Sequence, residues 1–424
     1  MHPFDADGMI GAVTIDGGKA VFRNKMVQTE GYKKEQEAGR QLYRGFANIP
    51  GGWTKNVFNI ARKNLANTNV QLWGGKLMAL WEGGFPTILD PKTLETIGES
   101  DLGGALKKGT VFSAHPRVDA KRERYVSFGN DAGKVTTYEF DKDMKLLKSR
   151  TASLGGITLL HDFVITDKYY VFLVSPVKFK ILKYIFGAPV TSILDYDEAA
   201  GSKILLMPRD MDEPVIECTG PARGCFHLAN GYDDPETGDV IFDAVTTDTF
   251  SAGRPTERPI WEEVNFAEEV PFSTINRYQV TPQTKRVRIK PLSSKYCDFP
   301  SVNKQVVGQP YSYIFAAAGK SDEHPLPQQG VLKLNVQTGE EKTWFPKEKT
   351  QFPGEVVFAN KQGGTGAEDD GYLIGFVHDG APGATGQVVV LDAKTMESVC
   401  KMSCRTHIPH GLHGSFWPGV LNIE

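Results

Sequence analysis

The sequence is poor in cysteine and histidine, the side chains that most often build disulfide frameworks and metal sites. Its 424 residues include five cysteines, with no Cys-X-X-Cys pair, and nine histidines. An odd, scattered set of cysteines argues against a disulfide framework and predicts a reducing, intracellular compartment. Cys225 lies two residues before His227. Two interpretations of it stay open: a metal ligand, or a small buried apolar side chain.

Long apolar runs, a leader sequence and a strong charge of one sign are also lacking. No run reaches the ~18 apolar residues that a membrane-spanning helix needs, and no signal peptide is visible. A formal net charge of −3 gives no indication of a basic surface that binds nucleic acid. With 44 glycines and 25 prolines, the composition favours many short strands and turns over long helices.

One hairpin pattern, a strand followed by a polar turn and a second strand, recurs along the chain. The strands alternate apolar and polar residues, as half-buried strands do, and the turn-opening residue types suit tight turns. The pattern occupies residues 12–22, 87–99, 136–149, 277–289, 331–344 and 388–401. The turns open at Asp16, Asp90, Asp141, Thr281, Asn335 and Asp392.

The spacing of these turns predicts an all-β fold. Neighbouring turns lie 51 residues apart (90 to 141), 54 apart (281 to 335) and 57 apart (335 to 392), near the ~40–50 residue period of propeller blades. The long gap from Asp141 to Thr281 would hold further blades and insertions. We therefore predict a β-propeller, whose central axis can carry a ligand. Unrelated hairpins in a β-sandwich are the alternative.

The segment 177–194 departs from the hairpin pattern. It is apolar but interrupted by Lys178, Lys180 and Lys183, and residues 177–186 suit a short amphipathic helix. Lysines beside aromatic and aliphatic side chains fit a segment that dips into a membrane interface. An insertion packed on the domain is the alternative.

Several histidines stand at strand ends or turns, where distant blades could bring them together on an axis. They are His115 in "AHPRVD", His161 in "HDFVIT" and His227 in "FHLANGYDD", besides the run "HIPHGLHGSFW" at 407–417. Each alone is more often a hydrogen-bonded structural residue than a ligand. Spacing does not choose among His407, His410 and His413. Four neutral imidazoles would suit iron, copper or zinc.

Two other histidines point to simpler roles, and three carboxylates could support a metal site. His324 stands in a polar loop and is expected to be solvated, and His378 ends a strand and is expected to be structural. Ligating histidines need acceptors that fix their tautomer. Glu82, Asp298 and Glu355 lie in or beside apolar runs, where an unpaired carboxylate is costly. Surface charge is the alternative for each carboxylate.

Taken together, these stretches resemble the carotenoid cleavage oxygenases over essentially the whole chain. "HPFDADGMI" at 2–10 is similar to the family's FDGDGM motif, with Ala6 in place of a glycine. The block 66–96 is similar to the apocarotenoid-cleaving branch. The segments around His115, His161 and His227 resemble three family histidine motifs, and 407–417 resembles the last one.

The resemblance implies a seven-bladed propeller, a mononuclear Fe(II) on its axis, and a dome of helices and loops over one face. The implied iron ligands are His115, His161, His227 and His413. His407 and His410 fall where the family often has Arg and Tyr. The implied carboxylates behind the ligands are Glu82, Glu355 and Asp298, the last standing where a glutamate is usual. Thr68 matches a residue near an open iron position, and Trp81 one that lines the substrate path.

The resemblance also implies an activity: an Fe(II) dioxygenase that cleaves a C=C bond of a carotenoid or apocarotenoid with O2 to give two carbonyl products. Alternatives are a stilbene-cleaving oxygenase, a retinoid isomerohydrolase, or an impaired propeller that only binds carotenoid or a partner. We expect one domain over 1–424, in cytoplasm or plastid, with peripheral membrane contact through 177–194. The oligomeric state stays open.

One departure from the family concerns the N-terminus. Family members usually carry about sixty further residues before the FDGDGM motif, and loss of the strands these supply would open a sheet edge. We therefore expect a fragment, a truncated gene model or a protein with an unusual propeller closure.

Overall fold

The computed structural model describes residues 2–250, 270–320 and 328–419. Within these ranges the strands form six four-stranded sheets and two two-stranded sheets, and every strand pair is antiparallel. The prediction of an all-β propeller is confirmed, and each four-stranded sheet is one blade.

The first two blades follow an N-terminal hairpin. The hairpin consists of β1 (Met9–Asp16) and β2 (Lys19–Met26). Blade 1 consists of β3 (Asn69–Trp73), β4 (Lys76–Leu80), β5 (Thr87–Leu89) and β6 (Thr96–Glu99). Blade 2 consists of β7 (Arg117–Asp119), β8 (Arg124–Asp131), β9 (Lys134–Phe140) and β10 (Leu146–Ser153).

Blades 3 and 4 fill the long gap between the predicted turns at Asp141 and Thr281. Blade 3 consists of β11 (Val164–Ile165), β12 (Tyr169–Val174), β15 (Ser202–Pro208) and β16 (Ile216–Gly220). The strands β13 (Val177–Phe179) and β14 (Leu194–Tyr196) form a separate two-stranded sheet inserted in it. Blade 4 consists of β17 (Gly224–Asp233), β18 (Val240–Thr247), β19 (Thr274–Thr281) and β20 (Arg286–Pro291).

Two further blades complete the series. Blade 5 consists of β21 (Cys297–Ser301), β22 (Tyr313–Ala318), β23 (Gly330–Asn335) and β24 (Glu341–Trp344). Blade 6 consists of β25 (Gln351–Asn360), β26 (Gly371–Asp379), β27 (Gln387–Asp392) and β28 (Ser398–Ser403). The first strands of successive blades contact one another, β7 with β11, β11 with β17, β17 with β21 and β21 with β25. These strands therefore surround the axis.

The predicted polar turns connect paired strands, as expected. Asp90 Oδ1 accepts the N–H groups of Lys92 and Thr93, both at 2.8 Å. The side chains of Asp141, Asn335 and Asp392 accept backbone N–H groups of their own turns in the same way. These local bonds satisfy backbone donors that a tight turn leaves without a ladder partner.

The described residues contain six four-stranded blades, one fewer than expected. The β1–β2 hairpin lies between blade 1 and blade 6. Ile10 and Val27 pack in one apolar cluster with Ala79 and Leu89 of blade 1. On the other side, Val13 and Phe22 pack with residues of blade 6 that include Ile374, Phe376 and Val388.

Neighbouring blades pack through large apolar side chains. Phe128 of β8 lies against Phe163 and Phe172 of the next blade, with ring centroids 5.0 and 5.4 Å apart. All three rings are buried. Aromatic contacts of this kind bury large apolar areas and favour edge-to-face geometry, so they fix the angle at which successive blades meet the axis.

Helices are few and short. They are α1 (Glu30–Ala38), α2 (Trp53–Asn56) and α3 (Ile181–Ile185), besides four 3-10 turns. Thr29 caps α1 by accepting the N–H of Tyr32, and Gly39 ends the helix with a φ of 59°. The helix expected over 177–186 forms only at 181–185, because residues 177–179 pair with β14. In the described part of the chain, no helix combines the length and apolarity needed to span a bilayer.

Candidate metal centre

Four histidines meet on the axis, and each comes from the sequence motifs singled out above. His115 lies directly ahead of β7, His161 ahead of β11, and His227 within β17, so blades 2, 3 and 4 each supply one. His413 comes from the segment that follows β28. The structure therefore brings together side chains that are up to 298 residues apart.

The geometry of the four rings suits a single metal ion. One ring nitrogen from each histidine lies within 4.8 Å of the other three. The centroid of the His115 ring is 4.4 Å from that of His161 and 4.5 Å from that of His413. Nε2 of His115 and Nε2 of His161 are 2.9 Å apart. Imidazole nitrogens at this spacing could bind one first-row transition metal.

The chemistry of the donor set also fits a cation. His115 and His227 are buried, and Nε2 of His227 has no hydrogen-bond partner among the described residues. Buried polar atoms without a partner are costly in a folded protein. A metal ion at the centre of the four rings would satisfy this nitrogen.

Burial and neighbouring charges shift the pKa values of His115, His227 and His413. Burial lowers the pKa of His115 well below its ordinary value, and the three nearby imidazoles lower it further. Burial likewise lowers the pKa of His413, more than Glu355 raises it. For His227 burial also lowers the pKa, but the nearby carboxylates, Asp298 first, outweigh it and the pKa is raised. Neutral imidazoles offer the lone pairs that a metal requires.

Three carboxylates stand behind three of the histidines. Glu82 Oε2 lies 2.9 Å from Nδ1 of His161, Asp298 Oδ1 lies 2.7 Å from Nδ1 of His227, and Glu355 Oε1 lies 2.9 Å from Nδ1 of His413. A carboxylate that accepts from Nδ1 fixes the tautomer and leaves Nε2 free to bind a metal. These are the three carboxylates that the sequence singled out, and each lies beside one of the four histidines. The side chains of Asp298 and Glu355 are 23% and 14% exposed, whereas that of Glu82 is 38% exposed and its contact with His161 is close in distance without the alignment of a hydrogen bond.

Irregular pairing turns several of these side chains toward the axis. The register of β17 shifts between Cys225 and Leu228, around His227. The register of β21 shifts after Asp298, and that of β25 shifts between Pro353 and Val356, around Glu355. Bulges bend a strand locally and re-aim the side chains beside them. The sequence carries no evident signal for these shifts.

The remaining histidines and Cys225 lie outside the group of four. The ring of His378 is 5.0 Å from that of His407 and 4.4 Å from that of His410. Nδ1 of His378 also lies 2.9 Å from the carbonyl oxygen of Ile408, which agrees with the structural role expected for it. Cys225 is buried and is not part of the group of four, which agrees with its interpretation as a small buried side chain. His324 lies outside the described residues.

Two cavities are lined by residues that the sequence singled out. Trp81 lines a cavity of 710 Å³ whose apolar wall includes Leu65, Phe179, Ile181 and Tyr184. A second cavity of 940 Å³ is lined by residues that include Glu355 and His413. Thr68 is buried beside the last ligand candidate, because its carbonyl oxygen accepts the N–H of His413 at 3.1 Å.

Sequence analysis missed two charged residues within its own motifs. Arg117 lies two residues after His115, and Asp162 directly follows His161. The two side chains form a salt bridge at 2.8 Å. Each of these charged residues lies at or beside the start of a predicted buried strand, where charged side chains are rare. That combination could have identified Arg117 and Asp162.

The chain is similar to known proteins over nearly its whole length. The family model described as "RPE65: Retinal pigment epithelial membrane protein" matches residues 1–418. The apocarotenoid-15,15'-oxygenase of Synechocystis is 36% identical over 98% of this chain and 86% of its own length. A carotenoid 9,10(9',10')-cleavage dioxygenase of Phaseolus vulgaris is 28% identical over 98% of this chain and 80% of its own.

Solved structures give the same result. The crystal structure of cobalt-substituted Synechocystis ACO superimposes with a TM-score of 0.91 at 33% identity, over 97% of this chain and 87% of that one. An ACO/RPE65 chimera superimposes with a TM-score of 0.91 over 98% of this chain and 88% of its own. The chain therefore belongs to the RPE65 family, the family of the carotenoid cleavage oxygenases.

Proposed function

We propose that this chain is an oxygenase that cleaves one C=C bond of a carotenoid or apocarotenoid with O2 and releases two carbonyl products. The observation that carries the proposal is the quartet of imidazole nitrogens, all within 4.8 Å of one another. It occurs in a chain whose relatives are named apocarotenoid oxygenase and carotenoid cleavage dioxygenases. In this proposal His115, His161, His227 and His413 hold Fe(II), which supplies the chemistry of O2 activation.

The surrounding residues then have distinct tasks. Glu82, Asp298 and Glu355 keep the proton of their histidine on Nδ1, so that Nε2 faces the metal. Burial raises the pKa of Asp298, but His227, the N–H of Phe299 and His413 together lower it by more, which favours an ionised acceptor. Thr68 is proposed to lie near an open position of the metal, because its carbonyl oxygen accepts the N–H of His413. No protein acid or base is required, because the protein's contribution is to bind and orient the alkene.

The cavity that Trp81 lines is the proposed substrate path. Its volume of 710 Å³ is large enough for an extended polyene, and aliphatic and aromatic side chains form one wall. Trp81, which lines this cavity, directly precedes Glu82, whose Oε2 lies 2.9 Å from Nδ1 of His161. Charged residues such as Glu35, Arg44 and Lys63 line the rest of the cavity.

We further propose that the protein contacts a membrane beside this cavity. Trp53, Phe58, Leu182 and Phe186 are exposed apolar side chains around α3. The ring of Phe58 lies 5.8 Å from that of Phe186, and the indole N–H of Trp53 donates to the carbonyl oxygen of Phe186 at 2.7 Å. These four residues form one patch, here called the α3 patch. Apolar residues of this kind insert into the headgroup region of a bilayer, where a lipophilic substrate is dissolved.

Two finer parts of the proposal concern closure and compartment. The β1–β2 hairpin is proposed to hold the place of a seventh blade, because it packs on blades 1 and 6 at once. All five cysteines are free, which supports a reducing compartment, either cytoplasm or plastid.

The test is product analysis with metal content measured on the same sample. The protein is loaded with Fe(II) under air and offered an apocarotenal, β-carotene, a hydroxystilbene and a retinyl ester. We expect one Fe(II) per chain and a single pair of aldehyde products from a carotenoid substrate, both lost in His161→Ala. An alcohol from the ester alone would replace this proposal with isomerohydrolysis. Stoichiometric iron with no product from any substrate would make the protein a binder.

A further inference from the structure

We infer that the ion pair of Arg117 and Asp162 is the positioning device that sets the metal affinity of the quartet. This inference rests on the proposed function, because it assigns a role toward the proposed metal. Neither residue touches the ring nitrogens that would bind the ion. Both act on the backbone that carries His115, His161 and His227.

Asp162 ties the His161 segment to the His227 strand. Its two carboxylate oxygens each lie 2.8 Å from Nη2 of Arg117. Oδ1 also accepts the N–H of Phe163 at 2.7 Å, and Oδ2 accepts the N–H of Leu228 at 2.7 Å. Asp162 is the next residue after His161, and Leu228 is the next residue after His227. One carboxylate therefore joins the immediate neighbours of two proposed ligands.

Arg117 adds the third strand. It lies on β7, two residues after His115. Its Nε donates to the carbonyl oxygen of Phe163 at 2.8 Å, and its Nη2 donates to that of Leu228 at 2.7 Å. Its Nη1 lies 3.3 Å from the carbonyl oxygen of Ala229. The planar guanidinium, with five donors in fixed directions, is the side chain suited to several such acceptors at once.

The position of the pair explains why it would act on affinity. The side chains of Arg117 and Asp162 are only 15% and 2% exposed. Buried ion pairs add little net stability compared with apolar packing, because desolvation offsets their attraction. Their better attested benefit is to specify one arrangement. Here that arrangement is the relative position of three inner strands, on which the metal–nitrogen distances depend to within about 0.2 Å.

His413 is held independently of this pair. Glu355 accepts from both Nδ1 of His413 and the N–H of Gly414, at 2.9 and 2.7 Å. The backbone N–H of His413 donates to Thr68. Loss of the Arg117–Asp162 pair should therefore loosen three ligands and leave the fourth in place.

The chain offers a matched control in Arg277 and Asp243. Their side chains are 16% and 0% exposed, close to the values of the first pair. Nε and Nη2 of Arg277 donate to the two oxygens of Asp243, both at 2.8 Å. Asp243 also accepts from the hydroxyl of Tyr311. This pair joins β18 and β19 within blade 4, and its hydrogen bonds in the described chain avoid the neighbours of the quartet.

The experiment measures Co(II) affinity of the full chain by competition with a chelator, the Co(II) absorption spectrum, and the thermal midpoint of the metal-free protein. The variants are Arg117→Gln, Arg117→Lys and Asp162→Asn, compared with Arg277→Gln and Asp243→Asn. We expect about 10- to 100-fold weaker Co(II) binding and an altered spectrum in Arg117→Gln and Asp162→Asn. The Co(II) affinity of Arg117→Lys should lie between those of these variants and the wild type. The lysine ammonium keeps the positive charge but cannot donate in the fixed directions of the planar guanidinium.

The control variants decide between positioning and general destabilisation. Arg277→Gln and Asp243→Asn should lower the thermal midpoint comparably while leaving Co(II) affinity and spectrum as in the wild type. Equal losses of affinity in both sets, or wild-type affinity in Arg117→Gln, would overturn the inference. If Arg117→Gln does not fold, Arg117→Lys and Asp162→Asn carry the test. Wild-type protein that binds no Co(II) would instead overturn the proposed metal site itself.

Discussion

Asp298 reaches His227 although it is one methylene shorter than the glutamate expected from the family resemblance. Its Oδ1 lies 2.7 Å from Nδ1 of His227 and also accepts the N–H of Phe299 at 2.8 Å. Regular pairing of β21 stops after Asp298 and resumes at Ser301. Phe299 adopts a φ of 52°, in the left-handed region that non-glycine residues rarely occupy. The bulge moves the carboxylate to the distance that the imidazole requires.

Replacing Asp298 with Asn should affect metal binding in two opposite ways. At about pH 8 the His227 ring loses its ionised acceptor, so we expect Co(II) affinity to fall about 10- to 100-fold. At lower pH a proton competes with the metal. The carboxylates that raise the pKa of His227 strengthen this competitor, so removing Asp298 should shift the pH at which binding is lost downward. Co(II) affinity measured from about pH 5 to 9 tests both signs.

Asp298→Glu is the control for charge and length. It keeps the carboxylate, so the pH at which binding is lost should stay near that of the wild type. If the Co(II) affinity of Asp298→Asn had the same pH dependence as that of the wild type, the proposed effect of Asp298 on His227 would be contradicted.

Glu355 should be needed for both the ring and the backbone of the last ligand segment. Its two oxygens accept from His413 and from Gly414, and a glutamine has only one acceptor oxygen. We expect Glu355→Gln to weaken Co(II) binding about tenfold or more and to speed hydrogen exchange at residues 411–417. Glu368 is the matched control, because its oxygens also accept backbone N–H groups, those of Ser312 and Tyr313. Glu368→Gln should leave Co(II) affinity unchanged.

Local turn chemistry made much of the propeller predictable from sequence. Asp90, Asn335 and Asp392 act through bonds to residues two or three positions later, so their effect is visible in a short window. Asp234 opens another such turn between β17 and β18, with bonds to Glu236 and Thr237. This turn was not among those predicted, although the same signal was present. The number of complete blades was not predictable in this way, because it depends on how the ends of the ring meet.

The residues of the candidate site likewise divide into those that the sequence predicted and those that it did not. The resemblance singled out the four histidines and three carboxylates, and the structure brings all seven together. The bulges at His227 and Asp298 and the bonds of Arg117 were not foreseen. The bulges depend on how each strand pairs with its neighbour. The bonds of Arg117 depend on partners that lie 45 or more residues away, such as Asp162, and no short-range pattern encodes them.

Two of the three C-terminal histidines should be dispensable for the metal. His407 and His410 lie against His378 and outside the group of four. The double variant His407→Arg/His410→Tyr, which introduces the residue types common in the family, should retain one metal ion per chain. His413→Ala should bind much less. The metal content of the wild type, the double variant and His413→Ala is measured after gel filtration. Loss of metal from the double variant alone would refute the assignment of His413 as the ligand.

The α3 patch should bind vesicles through side chains such as Leu182, which is 71% exposed. Burying a leucine side chain in apolar surroundings is worth about 2 kcal/mol, so we expect Leu182→Asp to weaken binding to neutral phosphatidylcholine vesicles by about tenfold or more. Ile97 on β6 is 70% exposed and lies outside the patch, which makes Ile97→Asp the matched control. Cosedimentation should separate the two variants while Co(II) affinity stays the same in both. The two side chains are almost equally exposed but lie on different parts of the surface. An equal loss of vesicle binding in both variants would therefore mean that exposed apolar area alone governs binding.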